Sequence, residues 1–242
     1  METIITVPGI WKDRSELLAN ILRATDGRFV YAGLVMIDTK LDAHCELLVE
    51  EHDADMSQAF QYAGKVNQLS PEFCEEIGTH SNVVVLKMET GSPEAVHKLA
   101  EAVQAILMAG GLGVKIENTG IAFSAAQWRD LLEDFEKSNL YQMFVLDSLQ
   151  HQDGTVASCG MHNLGFPDTI VTGVEFQEAV KVIRVFGYYQ LMENPEIEAG
   201  NTFSCEPNAP VYQIQNVETY IYDDEDLFGN PYGVWRLVLA ED

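Results

Sequence analysis

The sequence predicts an α+β fold, built either as two ferredoxin-like (βαββαβ) halves bridged by a helix or as one mixed or antiparallel sheet with helices on one face. Three observations predict it. Over the first ninety residues, short β-rich runs alternate with segments of helical period in the order β-α-β-β-α-β, the split βαβ pattern. A long amphipathic segment at 92–109 follows, closed by glycines. Beyond it the same order of elements recurs, although no residue-level repeat aligns the two stretches. The expected division is 1–90 for the first half and 91–242 for the second, the latter including the bridging helix and the C-terminal strands.

Each element has its own justification. Thr3 to Val7 is a short apolar strand stopped by Pro8-Gly9. Residues 13–24 place Leu17, Leu18, Ile21 and Leu22 at helical spacing, with Asp13 or Ser15 available as cap and Gly27 beyond the end. Phe29 to Ile37 is β-rich, and a polar turn at Lys40-Asp42 leads into Cys45 to Val49. Asp55 opens a helix whose apolar positions are Met56, Ala59, Phe60, Ala63 and Val66. Ser70-Pro71-Glu72 starts a shorter helix, with serine as cap and proline at the first helical position. Val83 to Met88 reads as a buried strand. In the bridging helix Val96, Leu99, Ala100, Val103, Ile106 and Leu107 form one stripe, and Gly110-Gly111 supplies a left-handed end.

Gly113 to Ile116 is the next strand, and Ser124 with Gln127 makes a capping box before Trp128, Leu131, Leu132 and Phe135. Tyr141 to Leu149 is expected as a strand turning at Asp153-Gly154 into Val156 to Cys159. Thr172 and Glu175 suggest a second capping box ahead of Phe176, Ala179, Val180 and Ile183. Strands near Val211 to Val217 and Tyr232 to Leu239 complete the chain.

Composition narrows the function. Fourteen Lys and Arg face 38 Asp and Glu across 242 residues, a formal charge of −24. A field of that sign repels phosphate backbones and anionic lipid surfaces, which disfavours nucleic-acid and membrane roles and favours a basic protein partner. It also serves solubility. The N-terminus has no basic segment followed by an apolar run, and no stretch approaches the ~18 apolar residues of a membrane span. Cys45, Cys74, Cys159 and Cys205 lack CxxC spacing and read as free thiols of a reducing compartment. A cytoplasmic protein is expected.

No motif announces a reaction or a cofactor. Gly110-Gly111-Leu112-Gly113 follows a helix and precedes a strand, the reverse of a phosphate cradle. Cys159-Gly160-Met161-His162 puts a thiol and an imidazole three residues apart, the spacing of two metal ligands or of a thiolate with its base. Further ligands or an orienting group would be needed, with His151, Asp147 and Cys205 as arbitrary choices, so the segment is as readily structural. Glu50, Glu51, His52, Asp53 and Asp55, with His44 at the near side of the same strand, could hold a divalent metal or simply precede a helix N-terminus. Asp223-Asp224-Glu225-Asp226 is the densest acidic run. It lacks the ligand order of an EF-hand loop and suits either a solvated loop or a contact for a basic partner.

Three segments together resemble an uncharacterised bacterial family, the domain-of-unknown-function family 4261. They are Val7-Pro8-Gly9-Ile10-Trp11-Lys12-Asp13-Arg14, Gly113-Val114-Lys115-Ile116-Glu117-Asn118-Thr119-Gly120 running on to Trp128, and Glu198-Ala199-Gly200-Asn201-Thr202-Phe203 to Trp235-Arg236-Leu237-Val238-Leu239. They span most of the chain without being chemical motifs. The resemblance implies a bacterial cytoplasmic protein, and by analogy a place in toxin–immunity or other conflict systems. It carries over no catalytic residue.

The expectation is therefore a non-enzymatic acidic binding protein, immunity-type or adaptor, engaging a basic partner through Asp223, Asp224, Glu225 and Asp226. The alternative is a metal- or thiol-dependent hydrolase using Cys159 and His162, with His44, His52 and Asp53 as metal candidates. A homodimer formed by pairing exposed sheet edges is a third possibility.

Overall fold

The computed structural model describes residues 1–133, 136–217 and 226–240. It is a mixed α+β arrangement with two separate sheets, and the chain divides into two compact units. One unit comprises Glu2–Thr90 and Glu94–Phe135; the other comprises Gly91–Pro93 and Glu136–Asp242, together with Met1. The boundary expected from sequence is at residue 90. By packing, the helix after that boundary and the next two strands belong with the first sheet.

The first unit runs β1 (Glu2–Gly9), α1 (Arg14–Ala24), β2 (Phe29–Ala32), β3 (Val35–Asp38), β4 (Ala43–Glu51), α2 (Met56–Ala63), α3 (Pro71–Ile77), β5 (Asn82–Glu89), α4 (Pro93–Met108), β6 (Gly113–Ile116), β7 (Ile121–Ser124) and α5 (Ala125–Glu133). Its seven strands lie in the order β2-β3-β4-β5-β1-β6-β7, with every neighbouring pair antiparallel.

Ferredoxin-like halves are not confirmed. β5 lies between β1 and β4, and β6 covers the other side of β1, so β1 gains both neighbours from later in the chain. Sequence periodicity specifies which face of a strand is buried but not which strand it pairs with.

Successive residues of β5 serve opposite faces. Val83 and Val85 pack with Met56, Phe60, Ala63, Cys74 and Ile77 of α2 and α3. Val84 and Leu86 are fully buried on the other side, where α1 and α4 lie. On that side the Trp11 Nε1–H donates to the Ala109 carbonyl at 2.8 Å, and Arg28 binds both Asp38 and Glu101. The sheet thus has helices on both faces, not on one.

Local signals explain most boundaries. The Asp13 side chain caps α1 by accepting from the Glu16 N–H, and the Ser70 hydroxyl caps α3 by accepting from the Phe73 N–H. Ser124 and Gln127 form the expected reciprocal box ahead of α5. The β-rich run 29–37 divides into two strands about Gly33, whose φ of 65° suits the turn. Val66, expected in the helix opened by Asp55, lies beyond the end of α2 and is exposed, and Phe135, expected to face inward, is outside the described residues.

The second unit contains α6 (Lys137–Phe144), β8 (Leu146–Gln150), β9 (Val156–Cys159), α7 (Met161–Leu164), β10 (Asp168–Thr172), α8 (Phe176–Glu193), β11 (Thr202–Phe203), β12 (Tyr212–Asn216) and β13 (Val234–Leu239). Its sheet has the order β11-β12-β13-β10-β9-β8, antiparallel except for the parallel pair β10–β13. Ala179, Val182, Ile183 and Phe186 of α8 cover Val156, Val171, Tyr212, Ile214 and Leu237.

Two expectations fail here. Tyr141 to Phe144 is helical, because Leu140, Tyr141, Met143 and Phe144 bury one side at helical spacing. Glu175 is the cap residue of α8 but makes no side-chain cap bond, and Thr172 ends β10. No helix among the described residues is long and apolar enough to cross a membrane.

Candidate functional site

A concentration of acids lies in the first unit, between residues 41 and 86. That stretch holds Asp42, Glu46, Glu50, Glu51, Asp53, Asp55, Glu72, Glu75 and Glu76, against Lys65 as its one lysine or arginine. All of these acids except the half-buried Glu46 are exposed.

The fold gathers seven of them around one junction. β4 ends at Glu51, and the His52 ring then anchors to the end of α3, with Nδ1 2.8 Å from the His80 carbonyl. The Asp53 N–H donates to His80 Nε2 at 3.0 Å, and His80 Nδ1 lies 2.8 Å from the Ile77 carbonyl. The two imidazoles stack with centroids 4.4 Å apart. A Cβ placed on Gly78 would stand 3.3 Å from the Ser57 Cβ, so the start of α2 abuts the end of α3. The segment carrying Glu50, Glu51, Asp53 and Asp55 thus abuts the end of α3, the helix that carries Glu72, Glu75 and Glu76, and makes an acidic junction of exposed side chains.

Part of this placement opposes local stability. Glu75 and Glu76 occupy the last turn of α3, where the helix dipole favours cations, and no basic residue stands there. Each unfavourable charge costs about 0.3–1 kcal/mol. A local run of acids flags Glu50 to Asp55 in the sequence. The contributions of Glu72, Glu75, Glu76 and His80 become visible only when the whole 41–86 window is counted for charge.

The metal candidates separate. His44 and His52 lie eight residues apart along β4, roughly 26 Å of extended chain, and His44 is exposed opposite Ile37 of β3. His52 Nδ1 and both His80 nitrogens serve backbone groups. Among the described residues no group of three or more His, Cys, Asp or Glu side chains could hold a metal ion.

Cys159 and His162 are both buried in the second unit, flanking Gly160, whose φ of 115° permits the sharp entry into α7. Burial pushes the Cys159 thiol well above its ordinary range, and the charges of Asp168 and Asp226 push it further. A thiol so held is a poor source of thiolate. His162 is fully buried, and neither ring nitrogen has a hydrogen-bond partner among the described residues; its Nδ1 lies 3.9 Å from Asp168 Oδ2.

Asp168 organises this region, and sequence reasoning missed it. Its buried carboxylate accepts from the Ser158 hydroxyl at 2.8 Å, the Met161 N–H at 3.2 Å and the Asn230 amide at 2.6 Å. Strand β9, the start of α7 and the loop before β13 are thereby tied to the start of β10, which is a structural task. The other residues named from sequence are dispersed. Asp147 is bound by Arg184, and His151 lies at the β8–β9 turn. Cys205 is half-buried beside the α8 core.

Of the acidic loop, Asp223, Asp224 and Glu225 lie outside the described residues. Asp226 is exposed and accepts from the Phe228 N–H. Compared with known proteins, the chain matches no family model, no curated protein and no solved structure.

Proposed function

We propose that the protein is a non-enzymatic binding protein that engages a basic protein partner through an acidic face. The observation carrying this reading is the acidic junction where the segment of Glu50, Glu51, Asp53 and Asp55 abuts α3 with Glu72, Glu75 and Glu76, none of them in a salt bridge among the described residues, tied by the His52–His80 stack. Glu75 and Glu76, which work against the dipole of their own helix, are suited to a task outside the chain. Such a field accelerates encounter with a basic surface and weakens as salt is added. The consecutive acids Asp223, Asp224, Glu225 and Asp226 are a second acidic segment for the partner. An immunity-type or adaptor role in a bacterial cytoplasm suits this chemistry.

The alternative hydrolase reading has less support. Cys159 is buried with a raised thiol, and neither nitrogen of the buried His162 has a hydrogen-bond partner among the described residues. The proposal is tested by capturing partners of the tagged full chain from native lysate at low and high salt, with identification by mass spectrometry. A basic protein enriched at low salt and lost at high salt is the expected result. Capture of a neutral or acidic protein that withstands high salt would contradict the proposal.

A further inference from the structure

β2 is an edge strand of the first sheet, and a groove of about 370 Å³ runs between it and α1. Strand register places the sheet side of the groove on one face. Tyr31 opposes Met36, which opposes Cys45, so Phe29 and Tyr31 lie on the side of Met36 and Leu47 that α1 covers. Leu18, Ile21 and Leu22 of α1 form the facing wall. Arg14, Leu18 and Leu22 succeed one another four residues apart, so Arg14 heads the same stripe of the helix. Its guanidinium lies over the Tyr31 ring, 4.9 Å from the centroid, and donates to the Tyr31 hydroxyl at 2.6 Å and to the Gly33 carbonyl. The Tyr31 hydroxyl donates in turn to the Leu47 carbonyl at 2.9 Å, which fixes the ring.

The backbone beside this groove has unused pairing capacity. Ala32 faces Val35 across the two-residue turn Gly33-Leu34, so Ala32 and Val30 direct their N–H and C=O groups to β3. Those of Phe29 and Tyr31 point outward. The Phe29 N–H donates to the Thr25 hydroxyl oxygen at 3.3 Å, whereas the N–H and C=O of Tyr31 meet no partner among the described residues. β2 also lacks the lysine, proline or bulge that guards an edge strand against pairing. Charge sets this region apart as well. Between residues 12 and 40 five Lys and Arg face four Asp and Glu, against 14 and 38 in the whole chain. Arg14 pairs with no carboxylate among the described residues.

We propose that this edge accepts an extended peptide segment of a partner as an added strand, with apolar side chains at alternate positions and an acidic one beside Arg14. The added strand is antiparallel to β2, as every neighbouring pair in this sheet is. Its residue opposite Tyr31 exchanges both backbone hydrogen bonds with it, and the side chains opposite Tyr31 and Phe29 enter the groove against Leu18 and Leu22. The residue opposite Gly33 is the acidic one, within reach of Arg14. A second copy of the chain is the poorer occupant, because β2 holds no acid for Arg14 and each copy carries a charge of −24. The site is separate from the acidic junction and does not depend on the basic partner proposed above.

Isothermal titration of the full chain with the blocked peptide acetyl-Glu-Thr-Leu-Thr-Leu-Thr-amide tests the proposal. Two N-methylated forms separate strand addition from simple apolar contact. A methyl on the nitrogen of the first leucine removes the donor to Tyr31, and a methyl on that of the preceding threonine blocks an N–H that points away from β2. The expected result is saturable binding, weakened about tenfold or more by the first methyl and little changed by the second. Leu22→Asp, at a position 51% exposed, and Arg14→Gln, both checked for an unchanged thermal melt, should each weaken binding about tenfold. No binding at millimolar peptide would overturn the proposal, as would equal loss from both methyl groups or affinity unchanged in both variants. Sedimentation of the chain alone should show no dimer that Leu22→Asp dissociates. Such a dimer would give the groove to a second copy and overturn the proposal too.

Discussion

At the scale of single residues, the positions that give the sequence its distinctive flavour turn out to hold the fold together. Trp11 is buried with its Nε1–H on the Ala109 carbonyl, and a Cβ on Gly9 would fall 2.1 Å from the Trp11 ring. Asn118 is sealed inside, accepting from the Ile4 N–H at 2.6 Å and donating to the Glu2 carbonyl at 3.1 Å, so one side chain continues the β1 ladder. Trp11→Ala should cost about 3–5 kcal/mol, read as a lower denaturant midpoint in equilibrium unfolding. The four cysteines give a second test. Cys45, Cys74 and Cys159 are buried, whereas Cys205 is half-buried. A thiol reagent at neutral pH should label Cys205 first in the native protein and reach the others only on unfolding. Rapid modification of Cys159 would revive the thiol-dependent reading. The pairing of Cys159 with His162 looks like chemistry in the sequence because spacing is visible there and burial is not. Asp168, which organises that region, bears no mark in the sequence beyond being one acid among many.

Among the elements, legibility follows the range of the interactions that decide each one. Caps at Asp13, Ser70 and Ser124 with Gln127 are local and readable, as is the stripe of α4. Residues 141–144 are not, because Tyr, Met and Phe suit a strand as well as a helix and tertiary burial decides between them. The insertion of β5 between β1 and β4 is set by pairing over long sequence separations, which a local pattern cannot encode. One element junction makes a pH prediction. Burial works to raise the Asp38 carboxyl, but the Arg28 guanidinium and the N–H groups of Lys40 and Leu41 outweigh it and hold the carboxyl below its ordinary range. A lowered folded-state value contributes stability that is fully present above the unfolded value of about 3.9 and is lost as pH falls through the folded one. Asp38→Asn should therefore destabilise the protein at neutral pH. Urea unfolding should show the gap to wild type narrowing in acid, whereas a gap independent of pH would refute the linkage.

For the whole molecule, a charge of −24 is legible at once, but its distribution is not. The run at 223–226 draws attention because its acids are consecutive. The acidic junction brings the end of β4 and the start of α2 against the end of α3 through contacts between His52, Asp53 and His80. The measurement that bears most directly on the proposed function compares capture by the wild type with capture by a variant carrying Glu50→Gln, Glu51→Gln, Glu75→Gln and Glu76→Gln. These side chains are exposed, so the variant should fold. The account predicts that a basic partner retained by the wild type at low salt is lost from the variant. Equal recovery of the same partner by both proteins would contradict it.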